Sequence, residues 1–171
     1  LATRIDQLLY DFTTYVKTSQ SEQAIEVLKC YPELIRHTDF LDEFPLMIAS
    51  RYDCTPVVQY LVDQEIDINR SSSNSNALSI AAREGSLNAV NLLLDAGADP
   101  DLCRAIVSAV LAKNNKLEII KTLLNHHCDV NQVFLMFNDP SNKRTALDFC
   151  RAGSAEELLL RENGAVSAKS L

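Results

Sequence analysis

The stretch Ala77–Pro100, ALSIAAREGSLNAVNLLLDAGADP, has an echo thirty-two residues earlier in Pro45–Ile68, PLMIASRYDCTPVVQYLVDQEIDI. Each opens with a leucine and an alanine three residues apart, Leu46 and Ala49 or Leu78 and Ala81. That spacing puts both side chains on one helix face. A short polar turn follows, then Val58 with Leu61-Val62 or Val90 with Leu93-Leu94, and then Asp67 or Asp99. Two helices joined by a turn, written more than once, make an array.

The totals fit a soluble helical domain. The chain has 171 residues, 47% of them hydrophobic, and a net charge of −7. One domain is the default at this length. Four glycines and five prolines among many Leu, Ile and Ala favour helix. The acidic balance, with a pI near 4.9, argues against a nucleic-acid partner and against a polybasic membrane anchor. No apolar run is long enough to span a bilayer. Cys30, Cys54, Cys103, Cys128 and Cys150 are odd in number and contain no C-x-x-C; they read as reduced thiols in a cytoplasmic protein. The first residue is Leu rather than Met, so a removed leading segment stays open.

The unit recurs along the chain. Phe44-Pro45-Leu46 opens one copy and Asn76-Ala77-Leu78 the next. A third turns at Lys113-Asn114-Asn115 and continues through Ile120 and Leu123-Leu124 to Cys128-Asp129-Val130-Asn131. Thr145-Ala146-Leu147-Asp148 opens a last copy, which closes on Leu159-Leu160 and Gly164-Ala165. An imperfect first copy has helices at about Ile5–Thr18 and Ser21–Cys30. This pattern resembles the ankyrin repeat family, whose ~33-residue unit carries T-P-L-H-x-A. The resemblance implies an all-α solenoid of about five helix-turn-helix units with short β-hairpin fingers. We expect one domain over 1–171: an N-terminal cap at 1–38, units at 39–70, 71–100 and 101–131, and a C-terminal cap at 132–171. A tetratricopeptide array is the rival, but its spacing is near 34 residues throughout. Here the spacing runs from thirty to thirty-nine, and the variation falls in the fingers.

Each part of the unit has a physical reason. Asn76 or Thr145 can accept a backbone N–H at a helix start. Pro45 sits where a missing N–H costs nothing. Ala49, Ala81 and Ala82 are small because packed helices approach closely there. Gly85 and Gly97 supply left-handed backbone at helix ends. The third unit departs: Ile106-Val107-Ser108-Ala109 replaces the opening motif. We expect Asp101 to cap an early-starting helix, from Leu102 to about Asn114, with a blunted finger. The last finger, 132–144, is longer and carries Val133-Phe134-Leu135-Met136-Phe137. It either folds back over the third unit or is presented to a partner.

Catalytic signatures are missing from the sequence: no G-x-G-x-x-G, no phosphate-binding loop and no G-x-S-x-G. His126 and His127 are adjacent and cannot share a helix face. They stand where the family has a turn glycine and read as a helix end. Cys150, between Phe149 and Arg151, reads as inner-helix packing rather than a nucleophile. Asn69-Arg70-Ser71 fits a glycosylation pattern, which the cytoplasmic reading discounts. We therefore expect no enzyme, no metal and no cofactor. The resemblance implies hydroxylation at Asn69 and Asn131 by the asparaginyl hydroxylase of animal cells; both are equally ordinary consensus residues.

Ankyrin arrays bind proteins through finger tips and the exposed side of the inner helices. Carried onto this chain, those positions are Phe40, Leu41 and Glu43 on the first finger. Arg51, Tyr52, Arg83, Glu84, Lys113 and Asn114 lie at inner-helix ends. Phe134, Met136, Phe137, Lys143 and Arg144 lie on the long finger. Lys17, Arg51, Arg83 and Lys113 recur two residues before the inter-helix turn. Stacking would line them up about 8–10 Å apart, as a basic stripe suited to an acidic or phosphorylated peptide. The plain alternative is that a helix C-terminus favours cations anyway. The expected function is non-catalytic protein recognition through the concave face, by a monomeric cytoplasmic adaptor. The other reading is a targeting module of a larger enzyme, or of a bacterial effector secreted into a host cytosol.

Overall fold

The computed structural model describes residues 2–135 and 141–170. The helices come in antiparallel pairs. The first pair is α1 (Ala2–Lys17) and α2 (Ser21–Cys30), followed by α3 (Pro45–Arg51) with α4 (Thr55–Val62). Next come α5 (Ala77–Glu84) with α6 (Leu87–Asp95), and α7 (Ala105–Val110) with α8 (Lys116–Asn125). The last pair is a 3-10 turn at Ala146–Phe149 with α9 (Ala155–Glu162). The odd-numbered helices α1, α3, α5 and α7 stack on one another and then on the Ala146–Phe149 turn. Helices α2, α4, α6, α8 and α9 form a parallel outer row. The expected all-α solenoid is the observed architecture.

Inner helices are squeezed from three sides, by two neighbours and an outer helix. Ala49, Ala81 and Ala109 are accordingly fully buried, because only a methyl group fits. Outer helices bury one stripe: Val57, Val58 and Leu61 in α4, and Ala89, Val90, Leu93 and Leu94 in α6. At the start of α5, the Asn76 side chain accepts from the Ser79 N–H at 2.8 Å, and the Ser79 hydroxyl oxygen accepts the Asn76 N–H at 3.0 Å. This reciprocal cap removes two orphan donors. At Thr145 the reciprocity runs otherwise. Its N–H donates to Asp148 at 2.8 Å, while its hydroxyl donates to the Val166 carbonyl, also at 2.8 Å.

Left-handed backbone marks the turn inside every unit and the exit of every unit but the first. Between paired helices it falls on Ser19, Asp53, Gly85, Asn115 and Gly153. After the outer helices it falls on Glu65, Gly97, His127 and Gly164. His127 (φ 62°) therefore takes the glycine place, as its position in the repeat suggests.

The fingers vary. Strands β1 (Ser71–Ser72) and β2 (Ser75–Asn76) pair antiparallel, as do β3 (Phe134–Leu135) and β4 (Lys143–Arg144). The third unit corrects the early-helix expectation. Leu102–Arg104 is a tight turn with Cys103 and Arg104 both left-handed (φ 51° and 60°), and α7 begins only at Ala105. Asp101 makes no cap; its carboxylate accepts the Asp129 N–H at 2.7 Å instead. The finger is blunted to a bare reversal.

Candidate groove on the inner-helix face

The Asp-x-Asn or Asp-x-Asp motif that follows α4, α6 and α8 has a mechanical role. Asp67, Asp99 and Asp129 each accept the N–H two residues on, at 3.0, 2.9 and 2.8 Å, closing a side-chain turn. The third residue then reaches into the next unit. Asn69 accepts from the Asp99 N–H at 2.9 Å, Asp101 from Asp129, and Asn131 from the Val166 N–H at 2.8 Å. Asn131 also donates to the Gly164 carbonyl at 3.1 Å. The carboxamide oxygens of Asn69 and Asn131 are thus engaged in holding units together.

A hollow of about 230 Å³ opens where α1, the first finger and α3 meet. Tyr10, Thr13, Thr14 and Lys17 come from α1, Phe40 and Leu41 from the finger, and Tyr52 from the end of α3. Four large apolar side chains remain open to solvent around it: Phe40 at 88% exposure, Tyr10 at 65%, Leu41 at 56% and Tyr52 at 40%. Most of the surface of Phe40, Tyr10 and Leu41 stays in contact with water. The finger is held rigid beneath them, because Asp39 accepts the N–H groups of Leu41 and Glu43 at 2.9 and 3.0 Å. Asp42 turns left-handed at its tip and accepts the hydroxyls of Ser72 and Ser73 from the next finger. Those bonds draw its carboxyl below the usual range.

Glu43 departs from its expected role. It is buried rather than offered at the finger tip, and its carboxylate grips the Arg51 guanidinium through two bonds, one of them Nε–Oε2 at 3.1 Å. Arg51 is corrected with it. Its remaining Nη1 donates to Glu84 at 2.7 Å, so a carboxylate stands on both sides of it. The hydrogen bond to Glu43, and then its charge with that of Glu84, raises the Arg51 pKa further. The stripe of cations is closed at this point.

Elsewhere the expected residues divide. Arg83 is exposed and only 3.6 Å from Glu84. Lys113 and Asn114 are exposed in the turn before α8. Phe134 is packed away, 7% exposed, stacked on Phe149 at 5.5 Å and covered by Arg104. The first strand of the long finger thus folds back over the third and last units, and Phe134 is core. Met136 and Phe137 lie outside the described residues. Lys143 and Arg144 form β4, with Lys143 exposed. Sequence reasoning passed over Tyr10, whose signal is its place two turns before Lys17 on α1. It also passed over Arg151, which precedes the left-handed Gly153 by two residues, as Lys17 precedes Ser19.

Burial pushes the Cys54, Cys103, Cys128 and Cys150 thiols away from the reactive thiolate form. All five are free. Burial, then the charges of Glu156 and Glu157, pushes Cys150 up to about 11. Burial and the surrounding aspartates push Cys128 higher still. Cys150 ends the Ala146–Phe149 turn rather than sitting within a helix, which corrects its expected place. Among the described residues, no group of three or more His, Cys, Asp or Glu converges on one point, and no helix is long and apolar enough to cross a membrane. A second hollow of about 300 Å³ lies at the finger roots, with Arg70 over the Phe44 ring at 3.7 Å. Arg36 and Arg70 face Glu65 and Asp67 there, so its charge is balanced.

In a comparison with protein families, a model described as ankyrin repeats, in three copies, fits residues 16–103, just over half of the chain.

Proposed function

The chain belongs to the ankyrin repeat family, whose members generally serve as protein–protein interaction modules, and from that premise we propose that it is a non-catalytic adaptor that seats a partner protein in the groove between its inner helices and fingers. One observation carries the reading. Tyr10, Phe40, Leu41 and Tyr52 stand exposed around a single hollow, and the finger that carries Phe40 and Leu41 is braced by its own hydrogen bonds. Large apolar groups, aromatics above all, are where interface energy concentrates when a partner excludes water from them. Preorganisation spares the partner the cost of ordering the loop. Five free thiols with no disulfide fit a reducing compartment, which supports a cytoplasmic site of action.

The test is paired capture from cytosolic lysate. One bait is the intact chain. The other carries Phe40→Ala and Tyr52→Ala, with unchanged thermal unfolding. A protein retained by the first and lost from the second supports the groove reading. An identical catch from both overturns it.

A further inference from the structure

Five cations share one place in the repeat. Ser19, Asp53, Gly85, Asn115 and Gly153 each turn the chain left-handed between paired helices. Two residues before each stands a basic residue: Lys17, Arg51, Arg83, Lys113 and Arg151. Because the inner elements stack in order, these positions form one line along the mouth of the groove, about 8–10 Å from unit to unit. The protein as a whole carries −7, so the line runs against its overall charge.

Helix dipoles alone do not account for it. A cation in the last turn of a helix is favoured by the dipole, and the effect fades beyond that turn. Lys17, Arg51 and Arg83 sit in such a turn. Lys113 does not, because α7 ends at Val110. Arg151 does not, because its inner element is a 3-10 turn that ends at Phe149. The charge keeps its register where the helix has gone.

The members differ in availability. Among the described residues Lys17, Lys113 and Arg151 are exposed with no ion pair, and Arg83 has only its long contact to Glu84. Arg51 is closed between Glu43 and Glu84, and Glu84 adds a negative charge at that level. The groove therefore reads in order as Lys17, an apolar hollow that reaches the level of the closed Arg51, and then three open cations one repeat apart.

A polyproline II chain has three residues per turn and a rise of about 3.1 Å, so every third side chain falls on one face about 9 Å from the last. That interval matches the repeat. We propose that the groove takes an extended partner segment with a large apolar residue in the hollow and an acidic residue at each of the third, sixth and ninth positions beyond it, facing Arg83, Lys113 and Arg151. This rests on the groove reading above and adds the ligand's pattern to it.

The experiment uses synthetic peptides and the full chain, read by fluorescence anisotropy. The matched probe is a labelled Trp-Pro-Pro-Glu-Pro-Pro-Glu-Pro-Pro-Glu, made also in reversed order because the groove's polarity sets the direction. The control holds the same residues with the three Glu adjacent. Three exposed charge pairs together are worth about tenfold in affinity, so the better matched probe should bind about tenfold tighter than the control. Lys113→Gln with Arg151→Gln should abolish that difference, and the preference should shrink as salt rises. Equal binding of matched and control probes, no binding of any probe, or a preference that survives the double variant overturns the proposal. Lysate capture separates the two readings. A partner lost on Phe40→Ala with Tyr52→Ala but kept on Lys113→Gln with Arg151→Gln leaves the groove standing and removes the charge pattern.

Discussion

Arg51 shows how a residue type can be read correctly and its role missed. Its place in the repeat is plain from sequence, but Glu43 and Glu84 close on it only once the finger and two helices are assembled. Truncating it would leave the Glu43 carboxylate buried without a counter-charge. Because Arg51 is itself partly exposed, we expect Arg51→Met to cost about 2 kcal/mol, below the fully buried case. Adding Glu43→Gln should recover part of that loss, measured by urea unfolding of the single and double variants. Asp148 is one acid-sensitive residue. Burial works to raise its pKa, but donors from Ser167, Thr145 and Ala168 outweigh burial and lower it. A lowered pKa means its contribution is present above the unfolded value near 3.8 and fades as pH falls through the folded value. Asp148→Asn should therefore cost about 1 kcal/mol at pH 7, after discounting for exposure. The gap from the parent chain should close as pH drops below about 4, followed by chemical denaturation across pH.

Helices with a full apolar stripe were legible almost to the residue. Ser21–Cys30 is α2 as expected, and α1 differs from its expected span by a few terminal residues. The third and last inner elements were not. Leu102–Asn114 is rich in helix formers, but the Asp101 carboxylate is drawn to Asp129 in the next unit and leaves that helix start uncapped. At Ala146–Phe149, Asp148 binds the C-terminal segment and Phe149 stacks on Phe134, which holds a tight turn. Both outcomes depend on residues fifteen or more positions away, beyond any local pattern. Turn glycines can be ranked in the same terms. A Cβ on Gly85 would lie 2.7 Å from the Asn114 carbonyl oxygen, while one on Gly97 meets nothing. Gly97→Ala should cost about 1 kcal/mol for its left-handed backbone. Gly85→Ala should cost about 3 kcal/mol, because the collision adds to the same strain. Thermal unfolding of the pair gives the comparison.

For the whole molecule, stability is a chain of neighbour contacts. α6 buries Ala89, Val90, Leu93 and Leu94, whereas α9 buries Leu160 alone and leans on a four-residue turn. Amide exchange should therefore be at least about tenfold faster in Leu158–Leu160 than in Val90–Leu94. Equal protection would mean that the array opens as one body. Of the candidate site, Phe40 and Leu41 on the first finger and four of the five cations, Lys17, Arg51, Arg83 and Lys113, were readable from sequence. The hollow was not, because Tyr10 meets Phe40 and Tyr52 only through stacking.

The side chains of Asn69, Asp101 and Asn131 act like stitches along a seam, each fastening one unit to the next from the base of a finger. A seam sewn at the base is indifferent to the length of the fringe. That is why a bare reversal after Asp101 and a long hairpin after Asn131 occur in one array whose elements still stack in order. Insertion and drift are free to act on the fringe, the part of the molecule that we propose meets a partner, while the seam preserves the cloth.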